Sequence, residues 1–68
     1  MDVELKKRSE LKNCEEGKQI TLNFMNEECY TGLFRGFDGD DTIMLEGLIS
    51  KKMIGLPFGK LDDYIEEI

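Results

Sequence analysis

From Cys29 to Phe37 the chain reads as a strand whose opposite faces carry Tyr30, Gly32, Phe34 and Gly36 on one side and Cys29, Thr31, Leu33, Arg35 and Phe37 on the other, so that two glycines fall inside it on one face. A glycine in a strand interior costs stability, because it packs nothing and has more freedom to lose on folding. Two of them in one strand therefore point to a sharp bend or to a second backbone passing close, as in a sheet that curls onto itself. A small closed barrel follows.

The flanking sequence fits that architecture. Ile20, Leu22 and Phe24 point one way and Gln19, Thr21 and Asn23 the other, which reads as a half-buried strand, and Asn26-Glu27 forms a tight turn into the glycine-bearing strand. Asp38-Gly39-Asp40-Asp41 is dense in residues that accept positive φ or bond their own backbone, so a turn is expected there before a third strand, Thr42 to Glu46, with Ile43 and Leu45 facing the core. Lys51 to Leu56 reads as a fourth strand that Pro57 must end or hold at a sheet edge. The tail from Lys60 to Ile68 favours a fifth strand, although Leu61, Tyr64, Ile65 and Ile68 also fit helical spacing. At the other end, residues 2-13 hold good helix formers with Leu5 and Leu11 as the main apolar positions, and Gly17 can end the segment. The expected fold is all-β with a short N-terminal helix: one domain over residues 1-68, with a helix at 2-13 and a small, strongly bent, five-stranded antiparallel barrel over 18-68.

Charge and chemistry narrow the function. Fifteen acidic against nine basic side chains give a formal net charge of −6, which opposes general attraction to nucleic acid or anionic membranes. The basic residues cluster, with Lys6, Lys7, Arg8 and Lys12 near the start and Lys51, Lys52 and Lys60 in the last third. There is no histidine and there are only two cysteines, Cys14 and Cys29, so one subunit cannot assemble a tetrahedral zinc set, and reduced thiols are expected. No serine or cysteine stands beside a plausible base and there is no glycine-rich phosphate loop, so neither catalysis nor a cofactor is expected. The Asp38, Asp40, Asp41 group lacks the downstream ligands of a calcium loop and reads as turn chemistry. Without an apolar stretch of ~20 residues or a secretory core, a soluble cytoplasmic protein is expected.

From Ile20 to Leu45 the chain resembles the first sequence motif of the Sm-like family, through Ile20, Leu22, Phe24, Asn26, Tyr30, Gly32, Gly36, Phe37, Asp38, Ile43 and Leu45. The second motif is met at Ile54-Gly55 and by Lys60 in place of an arginine; Leu61 replaces the usual glycine. The resemblance implies a homo-oligomeric ring, closed head to tail through the last two strands of neighbouring subunits, whose pore binds single-stranded RNA. The matching pore positions are Asp41, Thr42 and Lys60. Asp41 stands where the family commonly carries a stacking side chain and Thr42 where it carries a base-reading asparagine, so the RNA site implied here is divergent and weak. The second reading is an acidic oligomeric scaffold with no RNA role, whose carboxylates Glu27, Glu28, Asp62, Asp63, Glu66 and Glu67 recruit a basic protein partner.

Overall fold

The computed structural model describes residues 2-67; Ile68, part of the expected terminal segment, lies outside them. The chain forms six antiparallel strands in one open sheet: β1 Val3–Lys7, β2 Gln19–Phe24, β3 Cys29–Asp38, β4 Thr42–Glu46, β5 Met53–Pro57 and β6 Leu61–Glu67. Their order across the sheet is β1-β6-β2-β3-β4-β5. The only helical turns among the described residues are 3-10 segments at Arg8–Asn13 and Phe58–Lys60.

The sheet is not flat. The molecule measures 30 × 25 × 23 Å, and its shortest dimension is well beyond the ~10 Å thickness of a single flat layer. Both glycines of β3 contribute to the curl. At Gly36 φ is +83°, and the β3–β4 register slips between Phe34 and Phe37, which face Leu45 and Ile43. This is a bulge, with one extra residue on β3, and it turns Phe37 onto the same side as Phe34, the two rings meeting edge to face at 5.7 Å. At Gly32 a Cβ would lie 2.5 Å from the Glu46 carbonyl oxygen and 2.9 Å from Leu45 Cγ. The end of β4 therefore presses on β3 where no side chain exists.

One apolar cluster fills the concave side: Leu11, Ile20, Leu22, Phe24, Phe34, Ile43, Leu45, Leu61 and Tyr64, all buried. A second bulge explains how Leu61 and Tyr64 share that face from a single strand. Phe24 pairs with Leu61 and Asn23 with Asp63, so Asp62 is the extra residue that shifts the alternation. The expected terminal strand is present, and its helix-like spacing is the signature of this bulge.

The N-terminal helix expected over 2-13 is not formed. Val3–Lys7 instead pairs as β1 along β6, from Val3↔Glu67 to Lys7↔Asp63, making six strands where five were expected. Two unpaired backbone rows met here: β6 would otherwise be a bare edge, and pairing with it outweighs the modest helix preference of Glu, Leu and Lys. The Glu10 carboxylate accepts the Lys7 backbone N–H at 2.8 Å and fixes the break between β1 and the 3-10 segment. That segment delivers Leu11 to the core, fully buried, while Leu5 stays 67% exposed. Cys14 and Cys29 are free thiols.

Candidate nucleic-acid interface

The 3-10 turn Phe58–Lys60 is pinned at both ends by backbone hydrogen bonds. The Phe58 N–H donates to the Asp41 carbonyl at 2.7 Å, and the Met25 N–H donates to the Lys60 carbonyl at 3.0 Å. The β3–β4 turn, the β5–β6 turn and the β2–β3 turn thus meet at one end of the sheet. The three residues singled out in the sequence are all here, but in different surroundings. Asp41 is exposed and holds the turn through its backbone. Thr42 is half-buried in β4 opposite Pro57, its Cγ2 lying where a Cβ on Gly55 would come within 2.9 Å. Lys60 is exposed and lines a pocket of about 160 Å³ with Phe24, Asn26, Glu28, Tyr30, Leu56 and Pro57. Asp41 and Thr42 do not line it.

The pocket is built by the β2–β3 turn. Glu27 takes φ of +72°, and the Asn26 side chain closes the turn, its Oδ1 accepting the Glu28 N–H at 3.2 Å and its Nδ2 donating to Glu28 Oε1 at 3.1 Å. The Tyr30 hydroxyl donates to the same Glu28 oxygen at 3.2 Å, which holds the phenol above its ordinary pKa, by the hydrogen bond first and the carboxylate charge second. Tyr30 is thereby fixed edge to face on Phe24, with centroids 5.8 Å apart. Lys60 makes no ion pair among the described residues, so its charge is available to a ligand. The sequence signalled Lys60 but not Asn26, Glu28 or Tyr30 as pocket residues, because the pocket depends on where the Phe58–Lys60 turn docks.

Much of the basic N-terminal cluster is engaged by the chain itself. Arg8 lies over the Phe58 ring at 4.9 Å, and Lys12 Nζ lies 4.2 Å from the Phe37 centroid and 4.8 Å from that of Phe58. Lys12 also donates to the Asp40 carbonyl at 2.9 Å, and Lys6 pairs with Glu4 at 3.1 Å. The Arg8 and Lys12 contacts hold the 3-10 segment Arg8–Asn13 against the β3–β4 and β5–β6 turns, by cation–π attraction and the hydrogen bond to Asp40.

At the opposite end of β2, Cys14 Sγ lies 3.8 Å from Glu66 Oε2. Burial, then the Glu66 charge, pushes the Cys14 thiol up from 9.0 to about 11. Burial, then Cys14, pushes the Tyr64 phenol up from 10.0 to about 12. Both groups hold their protons more tightly folded than unfolded, so their contribution is complete below about pH 9 and is lost as pH rises through 11 and 12. Circular dichroism against pH is expected to show unfolding in that window, with Cys14→Ser moving its onset upward. An unchanged alkaline transition in the folded variant would remove Cys14 from the cause.

No helix among the described residues is long and apolar enough to cross a membrane, and no group of metal-ligating side chains is found among them. Comparison with protein-family models, with curated proteins and with solved structures finds no match to this chain.

Proposed function

We propose that this is a Sm-like domain that associates weakly with single-stranded RNA, taking one base into the pocket beside Lys60. The observation that carries this reading is the pocket itself, where the rings of Phe24 and Tyr30 and the apolar surface of Leu56 and Pro57 lie next to Lys60, which has no ion-pair partner among the described residues. A flat base can stack there and place its phosphate near Lys60, and stacking of this kind is worth ~1–3 kcal/mol per base. Glu28 is acceptor-only when ionised and can take a donor from either base, the amino group of adenine or the N3–H of uracil, so a preference for adenine rests on the stronger stacking of its larger ring system. Asp41 and Thr42 flank the pocket's supporting turn, where the aspartate would repel phosphate. The domain is read as a bent barrel of β2 to β6 with β1 added at its edge. In the ring implied by the resemblance, β5 would meet β6 of a neighbour, and β1 would have to leave that edge.

Titration with short oligo-A and oligo-U at two salt concentrations tests this. Oligo-A is expected to bind more tightly, with affinity falling as salt rises, Tyr30→Ala weakening it by roughly 10- to 100-fold, and Lys60→Ala flattening the salt dependence. Absence of saturable binding at low salt would sink the proposal. The net charge of −6 favours the second reading, an acidic interaction module for a basic protein. In that case a polycation, and no oligonucleotide, would bind.

A further inference from the structure

We propose that Lys12 and Arg8, neither of which lines the pocket, are positioning residues for it, acting through Phe58; this rests on the reading of that pocket as the base site. The turn that brings Lys60 to the pocket is lightly held. It has no side-chain cap and contains no fully buried residue, so beyond its two backbone hydrogen bonds it depends on where the Phe58 ring lies. Phe58 stands between Pro57 and Lys60, both of which line the pocket. A swing of this ring therefore moves the apolar wall and the cation together.

The ring is gripped from the N-terminal segment. Arg8 Cζ lies 4.9 Å and Lys12 Nζ 4.8 Å from the Phe58 centroid, within the reach of cation–π attraction. Lys12 Nζ is also 4.2 Å from the Phe37 centroid, and Phe37 meets Phe58 edge to face at 5.4 Å. Its third contact is the hydrogen bond to the Asp40 carbonyl, one residue before the Asp41 carbonyl that accepts the Phe58 N–H. Lys12 thus holds the turn in two ways, through the ring and through the backbone that pins the turn's first residue. The two cations are placed in their turn by Leu11, which lies between them in sequence and is fully buried, and by the pairing of β1 along β6. Lifting residues 3-13 from the sheet withdraws both cations from Phe58. The docking of the N-terminal segment therefore regulates the pocket at a distance, with no residue of that segment inside it.

Amide hydrogen exchange of the full chain, together with the oligo-A titration, tests this. Lys12→Met keeps the apolar stem and loses the charge. In this variant the Met25 N–H, which bonds the Lys60 carbonyl, is expected to exchange about three- to fivefold faster. The Phe34 N–H, which bonds the Lys18 carbonyl away from the turn, is expected to change less. Oligo-A affinity is expected to fall by about the same factor with the salt slope unchanged, whereas loss of a phosphate contact would lower that slope by about one. Lys12→Arg is expected to restore both readings. Phe58→Leu is expected to weaken binding likewise, and its double variant with Lys12→Met to lose less than the product of the two single factors. If Phe58→Leu fails to fold by circular dichroism, Lys12→Met and its arginine rescue decide alone. An unchanged Met25 rate in Lys12→Met, an equal acceleration at Phe34, or a lowered salt slope would each overturn the proposal. Exchange is read without oligonucleotide, so it decides whether the segment holds the turn even where the titration finds no binding and the base site itself fails.

Discussion

Gly32→Ala is expected to cost about 3 kcal/mol, at the upper end of typical overpacking penalties. The atom in the way is the Glu46 backbone carbonyl oxygen, 2.5 Å from the new Cβ, with Leu45 Cγ at 2.9 Å, and a paired backbone cannot swing aside as a flexible side chain can. Such a penalty is comparable to the whole stability of a domain this size, about 3–5 kcal/mol, so a large unfolded fraction is expected at 25 °C. The contrast is Gly59→Ala, where nothing lies within 4 Å of the added carbon and no more than about 0.5 kcal/mol is expected. Urea unfolding of the two variants beside the parent checks both, and equal midpoints would mean that β4 does not press on β3 at Gly32.

Leu11→Ala is expected to be of similar size, about 3 kcal/mol, the middle of the range for a truncated core leucine. Leu11 is fully buried and belongs to the same cluster as Phe34 and Tyr64, although it comes from a short 3-10 segment outside the sheet. Leu5→Ala, by contrast, removes a side chain that is 67% exposed, and a change within about 0.5 kcal/mol is expected. The pair separates two ideas of the N-terminal segment. As an amphipathic helix it would use both leucines for packing; as a strand followed by a 3-10 turn it uses one. Thermal unfolding distinguishes them, and a large loss at Leu5 would restore the helix.

The middle of the fold was legible in the residues because local pattern and tertiary demand agree there. Ile20, Leu22, Phe24, Ile43 and Leu45 are buried at the positions their alternation assigns, and Pro57 lies on an edge strand, where a residue without an N–H does least harm. The glycines of β3 announced a bend, although not that Gly36 acts through a bulge and Gly32 through a close approach. The N-terminus misled because Glu, Leu and Lys report intrinsic preference, whereas β1 exists through pairing with an edge formed nearly sixty residues later. Leu61 and Tyr64 hid a strand behind helical spacing, since a bulge at Asp62 imitates it.

The candidate site was legible only in part. Lys60 could be singled out, but it comes to line one pocket with Glu28 and Tyr30 through the docking of its turn by the Met25–Lys60 backbone bond, a contact no local pattern reports. Asp41 and Thr42 sit one turn away, and Asp41 acts on the pocket's shape through its carbonyl group. The same geometry reveals that Arg8 and Lys12 are spread over aromatic rings, which turns an apparent surface charge cluster into a clamp on the 3-10 segment.

Cross-strand proton contacts measured by nuclear Overhauser spectroscopy test the curled six-stranded sheet most directly. The expected result is contact between Leu5 and Ile65 and between Lys7 and Asp63 along β1, together with contact from the Gly32 α-protons to Leu45 and Glu46. Helical contacts three residues apart through residues 3-7, or Gly32 α-protons with no neighbour from β4, would contradict it.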